Sequence, residues 1–151
     1  MTNSAEQWYT SYRGDVYRLA YMICGNRAMS EDITQDVFLS ALQNPPAIRG
    51  SDNGNSLRAW LLAVARNKTL NALKREKRAV PLDDNLPCPD TPGDLVFLDM
   101  LNPLTARQRE IVIFHILYGM SHNQTAKILK MTHAAVRKQY ERALAVLRTE
   151  N

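Results

Sequence analysis

Residues 104–148, LTARQREIVIFHILYGMSHNQTAKILKMTHAAVRKQYERALAVLR, have little freedom in how they can fold. Thr105 stands three residues before Gln108, and Ser121 three before Gln124. In each pair the hydroxyl and the amide can satisfy backbone N–H groups reciprocally at the start of a helix. Gly119 falls where the first of these helices needs a left-handed residue to stop it. A second helix over 121–130 and a third from Thr132 onward are then separated by only a residue or two around Met131. This is the layout of a helix-turn-helix, whose last helix enters a DNA major groove.

The last helix separates its faces. Val136, Tyr140, Ala143 and Leu147 recur at helical steps and form one apolar stripe. Ala134, Lys138, Glu141 and Arg142 lie on the far side, with Arg137 on the flank. Small residues beside cations suit close approach to a groove floor and its phosphates. Ala126 has the bulk expected where two helices cross closely. Alone, the pattern also fits an ordinary three-helix bundle with a solvated charged face.

Charge and proline divide the rest of the chain. Residues 1–78 hold 11 Lys and Arg against 7 Asp and Glu, residues 79–103 none against 5, and residues 104–151 8 against 3. Two basic bodies joined by an acidic strap suggest a polyanion gripped at two places. The strap holds Pro81, Pro87, Pro89 and Pro92, too many for a helix interior, and is expected to be extended and semi-rigid. The expected organisation is therefore an all-α chain: a helical domain over 1–78, a Pro-rich acidic linker over 79–93, and a helix-turn-helix domain over 94–151.

In the N-terminal body, a first helix over about 5–24 carries Trp8, Tyr12, Val16, Leu19 and Ile23 at helical steps and ends at Gly25-Asn26. Ser30 is expected to cap the next helix, with Glu31 and Asp32 near its positive end. Ile33, Val37 and Ala41 make an inner stripe there, and Asp32, Gln35, Asp36 and Leu39 share another face. Pro45-Pro46 stops it. A polar loop, IRGSDNGNS, leads to a long helix after Ser56 that is apolar all round at first and strongly basic at its end. Trp60, Asn67, Asn71, Lys74 and Arg78 fall on one side of it. Asn amides and cations on one stripe suit base edges and phosphates together, although KREKR also fits a solvated last turn favoured by the helix dipole.

Several classes of function find no support. The start of the chain lacks the basic and apolar segments of a signal peptide, and no apolar run approaches the roughly 20 residues that span a bilayer. A cytoplasmic protein without membrane insertion is expected. Cys24 reads as a structural thiol and Cys88 as an incidental exposed one, with redox sensing unsupported. His115, His122 and His133 have no neighbouring Cys or His at metal-ligand spacing, so no metal and no cofactor are expected. With no phosphate loop and no nucleophile motif, the chain does not read as an enzyme.

Four segments in order resemble one family. SEDITQDVFLSAL is similar to an acidic E-D-hydrophobic-x-Q-D/E-x-F segment, and RGSDNGNSLRAWLLAVARN to an R-G…S-L-R-x-W-L…A-R-N run. LTARQREIVIF and GMSHNQTAKIL…VRKQYERALAVLR are similar to its last domain. The chain resembles, over about residues 8–148, bacterial RNA-polymerase sigma factors of the extracytoplasmic-function subgroup. In that group a promoter-melting domain (region 2) and a helix-turn-helix domain (region 4) are joined by a short linker.

The resemblance implies partners and roles. Core RNA polymerase, promoter DNA and an anti-sigma factor are the partners it implies. Asp32, Gln35, Asp36 and Leu39 would face the clamp helices of the polymerase's largest subunit. Arg49, Ser51, Asn53, Asn55 and Ser56 belong to the loop that would capture an extruded base. Asn67, Asn71, Lys74 and Arg78 would lie along the downstream promoter element. His133, Ala134, Arg137, Lys138, Glu141 and Arg142 would read or clamp the upstream element. The linker would thread toward the active-site and RNA-exit path.

The chain departs from the family pattern in four places. Its base-capturing loop is longer than the usual form, and Asn71 stands where Asp is frequent. Lys130 replaces a Gly at the helix-turn-helix corner, where a positive φ would strain it by something on the order of 1 kcal/mol. Thr125 within Gln124-Thr125-Ala126 replaces an Ile and is expected to weaken packing. Trp60 is read as core rather than as a wedge. Two other readings stand beside this one. A stand-alone helix-turn-helix regulator would leave the N-terminal helices unexplained. A sigma mimic that sequesters an anti-sigma factor would be expected to lose the basic residues kept in KREKR and VRK.

Overall fold

The computed structural model describes residues 4–44, 55–79 and 92–149, and every regular element among them is helical. The elements are α1 (Ser4–Cys24), α2 (Arg27–Gln43), α3 (Asn55–Ala79), α4 (Pro92–Leu101), α5 (Ala106–Val112), α6 (His122–Leu129) and α7 (His133–Thr149). A π-helical turn, Ile113–Leu117, continues α5. The helices form two compact units, α1–α3 and α4–α7, as the all-α reading expects. Most of the expected linker lies outside the described residues. Its two ends are helical instead: Ala79 closes α3, and Pro92 and Gly93 open α4. Proline's fixed φ suits a first helical position, where its missing N–H costs nothing.

In the first unit all three helices pack against one another. Val16, Leu19 and Ala20 of α1, Ile33, Val37 and Ala41 of α2, and Leu57, Leu61, Leu62 and Ala65 of α3 are buried together as its core. Trp8, Tyr12 and Ile23, read from the sequence as part of the same α1 stripe, are only half-buried. Gly25 ends α1 with φ +65, its N–H bonded to the Tyr21 carbonyl at 2.7 Å. That left-handed step delivers Asn26 into the extended backbone a cap requires, and Asn26 rather than Ser30 caps α2. The Asn26 side-chain oxygen accepts from the Met29 N–H at 2.9 Å. Ser30 lies inside the helix and is fully buried, and Glu31 and Asp32 fall beyond the first turn, out of useful reach of the positive helix end.

Four buried Ser and Thr hydroxyls, three in the first unit and one in α6 of the second, have the same solution. Ser30, Thr34, Thr69 and Thr125 donate to the carbonyl four residues earlier at 2.6, 2.7, 2.7 and 3.0 Å. None is an unpaired polar group, so burying it carries no desolvation penalty of the kind an orphaned hydroxyl pays.

The second unit is assembled on its caps. Thr105 and Gln108 form one reciprocal capping box, at 3.2 Å in both directions, and Ser121 and Gln124 form the other, at 3.1 Å in both. Ile111, Val112, Phe114, Leu129, Val136 and Ala143 are the buried centre, with Leu101 of α4 also buried. Gly119 takes φ +66 as expected. The π-helical turn before it was not expected. There the Tyr118 N–H reaches the Ile113 carbonyl (3.2 Å) and the Met120 N–H the Phe114 carbonyl (2.9 Å).

Lys130 adopts φ 56, ψ 47, the left-handed conformation that a glycine would take without strain. The corner holds it there. The N–H groups of Lys130 and Met131 both bond the Ala126 carbonyl, and the Arg107 guanidinium donates to the Leu129 carbonyl at 3.4 Å. Small Ala126 is buried, as expected for a close crossing.

Candidate nucleic-acid and partner interfaces

In α7 the two faces read from the sequence are physically distinct. Val136 and Ala143 are fully buried, and Tyr140 and Leu147 are half-buried. His133, Ala134, Arg137, Lys138, Glu141 and Arg142 are all exposed. The Thr132 hydroxyl accepts from the Ala135 N–H at 3.1 Å and so organises the first turn, which holds no acidic residue. A helix start with no acidic residue in its first turn and cations on its exposed face is a favourable seat for a phosphate. Gln108 anchors this helix from α5, donating its amide to Gln139 at 3.3 Å. The sequence reading missed that link, because two polar residues 31 positions apart carry no periodic signal.

On α3, Asn67, Asn71 and Lys74 are exposed, and Arg78 lies in the last turn of the helix. Trp60, on the same side, is half-buried. Arg66 donates to the Asn67 side-chain oxygen at 3.3 Å, which leaves the amide N–H groups of Asn67 as its outward donors. Arg49, Ser51 and Asn53 lie outside the described residues. Asn55 and Ser56 do not belong to the loop: α3 begins at Asn55, two residues earlier than expected. Short polar side chains are favoured at helix starts because they can bond the free N–H groups there.

On α2, Asp32, Gln35, Asp36 and Leu39 are exposed opposite the buried Ile33, Val37 and Ala41. The face has two edges. Asp32 and Asp36 border a cleft shared with Arg75 and Glu76 of α3. Gln35 and Leu39 border an open cavity of about 670 Å³ that is also lined by Trp8, Tyr9, Phe38 and Leu42. Leu39 and Leu42 are 55% and 56% exposed, high for leucines on one helix, and Tyr9 sits edge-on to Phe38 at 5.2 Å. An acidic margin beside an apolar groove is suited to a protein partner bearing cations and a hydrophobic ridge. Leu42 and Tyr9 were missed in the sequence: Leu42 continues the face of Gln35 two turns on, and Tyr9 reaches the groove from α1, a contact that no spacing within α2 announces.

Among the described residues no group of three His, Cys, Asp or Glu side chains is arranged to hold a metal ion. Cys24 is half-buried, its thiol 3.4 Å from the Ser30 hydroxyl and 3.5 Å from the Asn26 carbonyl; Cys88 lies outside the described residues. No described helix is long and apolar enough to cross a membrane.

Two family models match the chain in succession. The model for sigma-70 region 2 matches residues 8–79, and that for sigma-70 region 4 matches residues 94–147. The extracytoplasmic-function RNA polymerase sigma factor BldN of Streptomyces coelicolor is 29% identical over 152 residues, covering 92% of this chain and 57% of BldN. SigL of Mycobacterium tuberculosis, a sigma factor of the same subgroup, is 28% identical over 151 residues, covering 93% of this chain and 84% of SigL. Among solved structures, the sigma factor RpoE from Bartonella quintana, in complex with the anti-sigma factor NepR, shares the fold. It has a TM-score of 0.76 at 23% identity, covering 95% of this chain and 94% of RpoE. CnrH, in complex with the cytosolic domain of CnrY, has a TM-score of 0.69 at 21% identity, covering 96% of this chain and 85% of CnrH.

Proposed function

This chain belongs to the sigma-70 family, in its extracytoplasmic-function subgroup, and from that membership we propose how its two helical units direct transcription initiation. The first unit docks on core RNA polymerase through the outer face of α2, with Asp32 and Asp36 meeting cations and Leu39 the apolar part of the contact. Asn67, Asn71, Lys74 and Arg78 of α3 follow the downstream promoter element. The loop that ends at α3 holds an extruded base, through Arg49, Ser51 and Asn53 and the start of α3 at Asn55 and Ser56. In the second unit α7 enters the upstream element. His133 and Ala134 lie at the groove floor, Arg137, Lys138 and Arg142 contact phosphates or base edges, and Glu141 takes part in base readout.

The observation that carries this reading is the pairing of faces. In α2 and in α7 the proposed contact residues are exposed, while the stripe opposite them is buried in α2 and buried at Val136 and Ala143 and half-buried at Tyr140 and Leu147 in α7. The protein acts by binding rather than by catalysis, and the bond-making chemistry is the polymerase's. It works in the cytoplasm. RpoE was solved with the anti-sigma factor NepR, and CnrH with the cytosolic domain of CnrY; this chain is held by an anti-sigma protein when its promoters are silent. A stand-alone regulator would not need a region 2 unit, and a mimic would not need the exposed cations of α7.

A footprint tests the proposal. Core polymerase with this chain should protect two separate promoter elements, and the chain alone neither at the same concentration. Protection of one element by the chain alone, unchanged by polymerase, would instead identify a stand-alone regulator.

A further inference from the structure

All three histidines of the chain, spread over the 19 residues 115–133 and three successive helical segments, meet in the helix-turn-helix unit. His115 comes from the π-helical turn, His122 opens α6 and His133 opens α7. The His122 ring stacks on His115 at 4.5 Å between centroids and 23° between planes, meets Tyr140 of α7 at 5.0 Å, and lies 6.0 Å from His133. His115 also sits edge-on to Tyr140 at 4.7 Å, and its Nδ1–H donates to the Met120 carbonyl at 2.8 Å. His122 differs from the other two in one respect: its Nδ1 is shut off from solvent and has no hydrogen-bond partner. Neutral, with the proton on Nε2, it tolerates that site as a bare lone pair. A proton on Nδ1 would place a charge and an unpaired donor there together.

We propose that the three-histidine cluster is an acid-sensitive latch. Neutral His122 clamps the start of α6 to Tyr140 and the start of α7, and its protonation releases that clamp and lowers the hold of α7 on DNA. The clamp stands on the ring geometry; the consequence for DNA rests on the proposed role of α7. The groups facing His122 are His115 from the π-helical turn and His133, Arg137, Tyr140 and Glu141 from α7. Burial first, then the neighbouring His115, His133 and Arg137, hold its pKa below the ordinary value, and Glu141 alone opposes them.

The sign follows from linkage. A histidine with a folded-state pKa below its unfolded one binds fewer protons when folded. Its contribution to stability is therefore complete above about pH 6.5 and declines as pH falls from there through the folded pKa. The corner equilibrium shifts by about threefold for each half unit of displacement.

Proton NMR on the full chain tests the latch directly, since three histidines give three imidazole Cε1–H signals, assigned by His115→Gln, His122→Phe and His133→Gln. In the native chain, the His122 signal should titrate below about 6.5. The α6 and α7 amides should lose hydrogen-exchange protection over the same pH interval. His122→Phe, which keeps an aromatic ring that cannot titrate, should hold that protection to lower pH. Titration of His122 at or above the ordinary value, or amide exchange in the native chain that does not track it, overturns the latch whether or not the variant folds. Promoter affinity of the polymerase complex, measured at pH 7.5 and 5.5, should fall more in the native chain than in His122→Phe. Equal falls overturn the link to DNA. Absence of a promoter complex at both pH values counts against the proposed role of α7 and leaves the NMR result to decide the latch.

Discussion

Among the described residues Lys130 is the one non-glycine held at positive φ, at φ 56, ψ 47, where its side chain strains the backbone. Relieving that strain should outweigh the extra chain entropy of glycine. Lys130→Gly is expected to stabilise the second unit by up to about 1 kcal/mol, and Lys130→Ala to give no such gain, by thermal or denaturant unfolding. On α7, Lys138 and Arg142 are exposed away from the core, so Lys138→Ala and Arg142→Ala should leave the melting midpoint unchanged and lower promoter affinity. A lost base contact would cost about 1–3 kcal/mol and relax one promoter position, and a lost phosphate contact would weaken all sequences alike and flatten the salt slope. Residues whose importance comes from meeting others in space were not legible. Gln108 with Gln139, and His115 with His122, are contacts that only the assembled corner creates.

Helices were legible where a cap or a stripe announced them, and displaced where two signals competed. Both capping boxes stand as read, because each depends on a spacing within one turn. Ser30 misled because Asn26, four residues earlier, is an equally good cap and follows directly on the left-handed Gly25. Helix α4 was hidden by its length and by its Pro-Gly start, which otherwise marks a turn. The outer face of α2 supports a further expectation. Reversing Asp32 and Asp36 to Lys should weaken co-elution with core polymerase while circular dichroism stays unchanged, since both side chains are exposed. Undiminished co-elution would remove α2 from the polymerase contact. For the loop before α3, replacing residues 51–54 by a Gly/Ser tract should leave polymerase binding intact and slow promoter opening, and a premelted template should restore much of the rate. Because α3 begins at Asn55, the replacement stops short of the helix.

For the whole molecule, division into two basic units around an acidic, proline-rich segment was the most accessible part of the sequence, since charge and helix breakers need no tertiary knowledge. The division also explains why neither unit need bind DNA tightly. Once one is held on polymerase and promoter, the other binds at the high effective concentration set by the tether. Salt should therefore weaken the complex steeply, because phosphate neutralisation at two elements releases counterions from both. Promoter choice conferred on core polymerase by this chain is measured by run-off transcription on a pool of genomic promoter fragments. Core enzyme with this chain should yield discrete transcripts from a small set of fragments sharing an upstream and a downstream element, lost when Lys138 and Arg142 are both replaced by Ala. A transcript profile identical to that of core enzyme alone would show that the chain does not direct initiation.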